Sequence, residues 1–148
     1  MNPIVTEALT WLGTRHVNGA KVKGVGVDCG MLLVGSLEGA GLVQKGEIKI
    51  KPYSNEWHLH HAEEWFKGYV EQYCQQVHDL QAGDFLMFQY GRCLSHAGIY
   101  IGGNTVIHSV VDQGVILTDL DDVMFKDHKG NSRLRSIYRF GGGQDGHI

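Results

Sequence analysis

The residue in this chain best suited to covalent chemistry is Cys29, which stands where a glycine-rich loop turns into an apolar run. The stretch GVDCGMLLVG places it directly after Asp28. A thiol in the first turn of a helix lies at the positive end of the helix dipole, which should lower its pKa and favour the nucleophilic thiolate. The alternative is a small buried hydrophobe, the role that most free cysteines have. Position alone favours that alternative, so Cys29 needs partners before it is interpreted as a nucleophile.

Two histidines in one predicted hairpin supply such partners. The stretch LSHAGIYIGGNTVIHS places His96 at the start of one strand and His108 near the end of the next. With a turn near Gly103, antiparallel pairing can bring both rings to the same end of the sheet. One imidazole could then take the thiol proton while the other holds it in a useful tautomer. A partly exposed strand residue is the alternative for either histidine taken alone.

The helices that must position these residues are marked by caps and by helical spacing. Asn2 can cap a first helix, and Asp28 can cap a second, nearly all-apolar helix that should lie centrally. A third helix is predicted from apolar rows at four-residue spacing, with Cys74 on its buried face. The predicted helices cover residues 2–13, 28–39 and 62–77, with a loop over 14–27.

Short strands follow the phrase QAGD, where the apolar spacing changes to alternation. Helices first and an antiparallel meander afterwards predict an α+β fold. The chain is expected to form one domain over residues 1–141, with a disordered Gly-rich tail over 142–148. The predicted strands cover 85–90, 96–102, 105–110, 114–119 and 133–140.

Size and charge narrow the class of protein. The chain has 148 residues and a formal net charge of -3, so one domain without a basic surface for nucleic acid is expected. No apolar run approaches the roughly 18 residues of a membrane-spanning helix. The N-terminus lacks the basic start of a signal peptide, so synthesis in the cytoplasm without a leader is expected. The 3 cysteines form no CxxC pair, which argues against a disulfide framework or structural zinc site.

Other candidate sites have weaker support. Cys93 lies in a predicted turn with no activating helix start. The WHLHH cluster at 57–61 with His78 invites a metal interpretation, but no second ligand pair has matching spacing. The acidic run 119–123 with Asp127 lacks the spaced loop of a calcium site. The glycines of GVGVDCG do not fit the dinucleotide fingerprint, so neither metal nor cofactor is expected.

Three stretches together resemble the NlpC/P60 cysteine peptidases, most closely phage-type members associated with tail genes. They are GVDCGMLLVG, SHAGIYIGGNTVIHS and the opening ALTWLGTRHVNGA, so the resemblance runs over nearly the whole chain. It implies a papain-like α+β core with the cysteine helix packed on an antiparallel sheet. It also implies amide hydrolysis through an acyl-enzyme in peptidoglycan stem peptides, often between D-glutamate and a diamino acid.

The same resemblance assigns roles to particular residues. Cys29 would be the nucleophile, His96 the general base and acid, and His108 the group that orients His96. Asp28 and Ser95, which belong to the matching motifs, are expected to contact the oxyanion or the substrate.

One departure concerns the oxyanion. Many relatives have Gly-Thr-Pro-Tyr where this chain has GTRH, so His16 stands in place of a tyrosine thought to hold the oxyanion. A histidine N–H could donate the same hydrogen bond, and such a donor contributes a factor of about 10² to 10³. Alternatively His16 does not reach, and activity is weak or lost. Many relatives also have serine where this chain has Gly30, which leaves the cysteine's backbone N–H available.

These observations predict a peptidoglycan peptidase carried by a phage or prophage tail, with stem peptides as substrate and tail proteins as neighbours. A type VI-like secreted amidase effector would share the missing leader. The rival interpretations are a non-catalytic tail-assembly domain with a vestigial triad and an acyl- or amide-processing enzyme on the same scaffold. A narrow polar cleft would favour peptides, and a broad apolar groove would favour lipids. Neither nucleic acid nor membrane is expected as a partner.

Overall fold

The computed structural model describes residues 2–49, 68–91 and 93–141. The predictions for the WHLHH cluster at 57–61, for the start of the third helix at 62–67 and for the tail at 142–148 lie outside the described residues. Within the described ranges, every helix is too short or too polar to cross a membrane.

The first helix, α1, covers Pro3–Leu9 and is shorter than its apolar spacing predicts. Asn2 caps it, since its side-chain oxygen accepts hydrogen bonds from the backbone N–H groups of Ile4 and Val5. Beyond Leu9 the backbone tightens into bonds that reach back three residues, and the hydroxyl of Thr10 also bonds the carbonyl of Glu7. Residues 10–13 therefore form turns rather than a further helical turn.

The second helix, α2, covers Cys29–Gly39 and is the buried centre of the fold, as predicted. Its N-cap is Asp28, whose Oδ1 accepts the backbone N–H of Met31 at 2.8 Å. Gly35 lets α1 approach, because a Cβ at that position would lie 2.5 Å from the indole of Trp11. The buried side chains of α2 include Leu32, Leu33, Val34 and Leu37.

A short hairpin precedes α2 where the sequence predicts only loop. Its strands, β1 and β2, cover Lys21–Val22 and Gly26–Val27 and pair antiparallel. Two-residue strands show no alternation, so apolar periodicity could not reveal them. The hairpin matters for the site because β2 leads directly into Asp28 and Cys29.

One antiparallel sheet of six strands forms the other layer. Its spatial order is β3-β8-β4-β5-β6-β7, and α2 packs on one face against core residues such as Met87, Ala97 and Ile107. A smaller cluster built around Phe88 and Phe125 covers part of the other face. The strands are β3 Cys74–Val77, β4 Phe85–Tyr90, β5 Cys93–Gly102, β6 Thr105–Val110, β7 Gly114–Asp119 and β8 Leu134–Phe140.

The predicted third helix is wrong at its C-terminal end. Residues 68–73 are helical, but Cys74–Val77 forms strand β3, which pairs with β8 through Cys74↔Phe140 and Val77↔Ile137. Cys74 is buried as expected, but in the sheet and not on a helix face. Pairing with strand residues 60 to 66 positions further along the chain overrides the local four-residue spacing, which is a tertiary effect.

Candidate active site

Cys29 is the first residue of α2 and is 2% exposed. Burial raises the pKa of its thiol to about 12, and the carboxylate of Asp28 adds to the rise. Backbone hydrogen bonds from Ala97, Gly30 and Cys29 itself act in the opposite direction and do not outweigh burial. The expected lowering of this pKa at a helix start is therefore wrong, and the thiol rests with its proton until a neighbouring base takes it.

His96 and His108 are joined by a direct hydrogen bond. The distance from His96 Nε2 to His108 Nδ1 is 2.7 Å, and His108 Nε2 lies 2.8 Å from Thr118 Oγ1. The register of β5 and β6 explains the meeting, since Ile99↔Ile107 puts the two histidines diagonally across the strand pair. The predicted pairing of the two rings is therefore what the structure shows.

The two imidazoles differ in their surroundings. His108 is fully buried, and burial lowers its pKa to about 4, although Asp122 opposes this shift. His108 therefore stays neutral near pH 7. His96 is half-buried and lies edge-on to Tyr90, with ring centroids 6.0 Å apart. Phe125 packs against the ring of His108 at 5.1 Å and holds it in place.

The chain of three side chains decides which nitrogen of His96 can act as a base. His108 Nδ1 can accept a hydrogen bond from the Nε2–H group of His96. This requires that the ring hydrogen of His108 lies on its own Nε2 and points to Thr118. The base position of His96 is then Nδ1. The opposite direction would put a hydrogen on Nδ1 of neutral His96 and remove its basic nitrogen. Only the first arrangement also accommodates His96 after it has gained a proton, because His108 then still accepts.

His16 lies on the loop before β1, beside β2, the strand that leads into Cys29. A bridge pairs its backbone with Val27, two residues before Cys29. His16 Nδ1 lies 2.9 Å from the hydroxyl of Ser109, and that hydroxyl donates to the carbonyl of Val27 at 2.8 Å. Sequence reasoning missed Ser109, although it directly follows His108, because a serine in a strand has no local signature.

Asp28 has a structural task in the fold, and its expected contact with the oxyanion or the substrate stays a prediction. It is fully buried, its Oδ1 holds Met31 and its Oδ2 accepts the backbone N–H of Gly19 at 2.7 Å. It therefore ties the loop before β1 to the start of α2, and it is not among the residues that line the cavity. Ser95, which was expected to contact substrate, does line the cavity.

A cavity of about 660 Å³ brings the reactive groups together. Cys29 and His96 both line it, and most of its surface is apolar. The hydroxyl of Tyr90, another lining residue, donates to the carbonyl of Met124 at 2.6 Å. The lining residues are His16, Asn18, Cys29, Tyr90, Ser95, His96, Ser109, Val110, Val111 and Met124.

No metal centre is formed within residues 2–49, 68–91 and 93–141, where no three His, Cys, Asp or Glu side chains converge. His78 is exposed. The side chain of Cys93 and the WHLHH cluster lie outside the described part of the structure.

Comparison with known proteins places these observations in a family. The profile described as the NlpC/P60 family matches residues 10–133. The murein DD-endopeptidase MepS/murein LD-carboxypeptidase of Escherichia coli K12 is 24% identical over 130 residues. This match takes in 88% of the chain but 60% of the relative, so the chain spans less than two thirds of that protein.

Solved structures share the architecture. A lipoprotein-like NLP/P60 family protein from Staphylococcus aureus Mu50 superposes with a TM-score of 0.60 at 22% identity, over 93% of this chain and 40% of that one. The NlpC/p60 domain of the peptidoglycan hydrolase SagA gives a TM-score of 0.57 at 21% identity, over 93% of this chain and 97% of that one. At these identities the likeness shows the fold, and it confirms the predicted α+β class.

Proposed function

The chain belongs to the NlpC/P60 family, and from that premise we propose that it is a cysteine peptidase acting on the peptide stems of bacterial peptidoglycan. One observation carries the proposal: Cys29 and His96 line one cavity, and His96 is hydrogen-bonded to a neutral, buried His108. The names of two relatives, a murein endopeptidase and a peptidoglycan hydrolase, support the substrate class.

In the proposed mechanism Cys29 Sγ attacks the scissile carbonyl carbon while its proton passes to His96. A sulfur–carbon bond forms, and the carbonyl electrons move to oxygen, where backbone N–H groups at the start of α2 can donate. His108 accepts a hydrogen bond from the resulting imidazolium. When the carbon–nitrogen bond breaks, His96 returns the proton to the leaving amine. Water then attacks the thioester with His96 as base, which releases the acid and restores the thiol.

The proposed bond lies between D-glutamate and the diamino acid of the stem. The Escherichia coli relative is named as a DD-endopeptidase and LD-carboxypeptidase, which act on other bonds of the same stem. Mass spectrometry of fragments from purified peptidoglycan distinguishes these bonds, because each leaves a different new carboxylate. Release of fragments that end in a new D-glutamate carboxylate would support the proposed bond, and a new D-alanine carboxylate would contradict it.

Replacing the nucleophile tests the activity itself. We expect Cys29→Ala to abolish fragment release from purified peptidoglycan while the melting temperature stays within a few degrees. The change removes one buried sulfur and costs on the order of 1 kcal/mol. Cys74→Ala is the matched control, because it removes a buried thiol from β3 and should retain activity. Full activity in Cys29→Ala would contradict the proposal, and unfolding of Cys29→Ala would make Cys29 a packing residue.

The largely apolar lining of the cavity favours a second candidate, an acyl- or amide-processing enzyme. Val110, Val111 and Met124 line the same cavity as Cys29 and offer a surface for an aliphatic group. Fatty acyl amides and stem peptides can be compared on the same preparation by kcat/KM. A preference for acyl amides would favour this candidate over the peptidase. If Cys29 reacts with neither class of substrate nor with an activated ester, the domain is a non-catalytic assembly part.

Delivery by a phage or prophage tail, after synthesis in the cytoplasm, completes the proposal, with a secreted effector as its rival. The resemblance to tail-associated members supports the tail. An immunoblot of purified virions tests it, since a tail protein copurifies with the particle. Absence from virions together with export into a neighbouring cell would favour the effector.

A further inference from the structure

The ring of His16 belongs to a hydrogen-bond chain whose direction can be deduced. The carbonyl of Val27 can only accept, and the hydroxyl of Ser109 lies 2.8 Å from it. The single hydroxyl hydrogen of Ser109 must therefore point to Val27, because two bare oxygens at that distance would repel each other. The oxygen of Ser109 is then the acceptor for His16 Nδ1 at 2.9 Å, so Nδ1 carries a hydrogen.

This direction fixes the other nitrogen of the ring. A neutral imidazole has one N–H group, so neutral His16 with a hydrogen on Nδ1 carries a lone pair and no hydrogen on Nε2. A bare nitrogen repels an oxyanion, whereas an imidazolium carries a hydrogen on both nitrogens and can donate from Nε2. The expected donation from His16 to the oxyanion therefore depends on its charge.

We propose that His16 stabilises the oxyanion only as an imidazolium, and that Ser109 is the positioning residue that imposes this condition by holding Nδ1–H. The inference rests on the proposed function, because an oxyanion arises only when Cys29 attacks a carbonyl. His16 lines the same cavity as Cys29 and is bridged to the strand that leads into it. Turnover then needs two histidines in opposite states: His16 protonated and His96 able to accept a proton.

Titratable and charged groups lie on each element near the site. Asp28 is buried and directly follows Val27, the residue paired with His16, so a carboxylate there would favour the imidazolium. His96, in contrast, becomes a second cation once it has taken the thiol proton. His108 stays neutral and adds no charge. The titratable or charged groups are Arg15 on the same loop, Asp28 and Cys29 at the start of α2, Tyr90 on β4, His96 on β5, His108 on β6 and Asp112 in the turn after β6.

Two reactions at the same sulfur separate the oxyanion from the nucleophile. Acylation by p-nitrophenyl acetate forms a sulfur–carbon bond through an oxyanion, expels p-nitrophenolate and sends the thiol proton to His96. Alkylation by iodoacetamide displaces iodide without an oxyanion. Both rates depend on the ionisation of the same thiol, so the pH dependence of their ratio cancels that shared step and reports what acts on the oxyanion. We expect the ratio of acylation rate to alkylation rate to fall as the pH rises from about 5 to about 9, because His16 loses its proton. The total fall should be up to about 10²-fold.

Two variants should remove that fall for different reasons. His16→Tyr supplies a hydroxyl donor throughout this range, so its ratio should be independent of pH. Ser109→Ala releases Nδ1, so the neutral ring can carry its hydrogen on Nε2 and donate at higher pH. The carbonyl of Val27 keeps its bond from the backbone N–H of Val17. Ser36→Ala is the matched control, because Ser36 is a buried hydroxyl with no hydrogen-bond partner among the described residues.

A ratio that stays flat in the unaltered protein, or falls equally in all three variants, overturns the inference. Nitrogen-15 NMR of the histidine rings is a second measurement, because it shows which ring nitrogen carries the hydrogen. It uses the unaltered protein without substrate, so it does not depend on whether a variant folds. A neutral His16 with its hydrogen on Nε2 would also overturn the inference. The failure of the proposed function is distinguishable, because Cys29 would then undergo both reactions with the expected pH dependence while releasing no stem fragments.

Discussion

Burial assigns different tasks to two histidines that are alike in the sequence. His108 is closed off by Phe125 and stays uncharged, so it is suited to accept a hydrogen bond and unsuited to collect the thiol proton. His96 is half-buried and lines the cavity, where a proton can move to and from a substrate. Thr118 completes the chain by fixing the far nitrogen of His108.

Truncating the three side chains should reduce activity in the order of their distance from the proton. His96→Ala removes the base and should lower kcat/KM by about 10² to 10⁴. His108→Ala should cost less, and Thr118→Val less again, because each acts through its neighbour. Measurements of kcat/KM on stem peptides check this order. Thr105→Val is the control, since the Thr105 hydroxyl bonds the nearby Gly103 carbonyl and lies outside the chain of His96, His108 and Thr118. Equal losses in His96→Ala and His108→Ala would leave base and orienting group unassigned.

At the scale of elements, local patterns predicted what local physics determines. The strands Phe85–Tyr90, Thr105–Val110 and Gly114–Asp119 coincide with the predicted strands, and Asp28 caps α2 as its type suggests. The predicted helix failed at Cys74–Val77, because that segment's partner strand lies at the other end of the described chain. Spacing alone has no information about such a partner.

The same distinction holds for the site. The meeting of His96 and His108 follows from one hairpin, so its sequence was sufficient to predict it. Ser109 and Thr118 were missed, because their partners His16 and His108 lie on other segments of the chain. Local residue spacing carries no information about such contacts. The predicted lowering of the Cys29 pKa was wrong for a related reason. Burial of the thiol depends on how α2 packs on the sheet, and burial shifts this pKa more than the helix start does.

The cap of α2 should influence the nucleophile as well as the helix. Asp28→Asn removes the charge that helps to raise the Cys29 pKa, so alkylation of Cys29 at fixed pH should become faster. The same substitution places the NH₂ group of the new asparagine against the backbone N–H of either Gly19 or Met31. The lost hydrogen bond should lower the free energy of unfolding by about 1 to 3 kcal/mol. The pH dependence of iodoacetamide alkylation and a thermal melt measure the two effects.

Asp127→Asn is the matched control for this cap. The carboxylate of Asp127 accepts the backbone N–H groups of Lys129 and Asn131 in an exposed turn, so its removal should leave the reactivity of Cys29 unchanged. Alkylation that is slower in Asp28→Asn than in the unaltered protein would contradict the electrostatic role of Asp28.

At the scale of the whole molecule, the sheet separates a large core under α2 from a smaller one around Phe88 and Phe125. The catalytic candidates lie on both sides of this division. Cys29 belongs to the large core, whereas His108 packs against Phe125 of the small one. The site is therefore assembled only when both cores are formed.

Global stability should fall in mild acid because of His108. Its pKa is about 4 in the folded chain, against the ordinary histidine value of 6.5, so the unfolded chain binds the proton first. The contribution is complete above about pH 6.5 and is lost as the pH falls towards 4, on the order of 3 kcal/mol in all. Urea unfolding at neutral pH and at about pH 5 measures the loss.

His108→Gln removes this titration and should flatten the pH dependence, even though the variant is less stable at neutral pH. His78→Asn, a change at an exposed histidine, should retain the full slope. An unchanged slope in His108→Gln would assign the acid sensitivity to other groups.

The burial and the raised pKa of the Cys29 thiol also affect how fast this thiol is oxidised. Peroxides oxidise thiolates in preference to thiols, and they do so faster where sulfur is exposed. Because the Cys29 thiol is 2% exposed and its pKa is raised, we expect it to be shielded from air and oxidants. The fold that makes Cys29 slow to ionise is also the one that preserves it in storage.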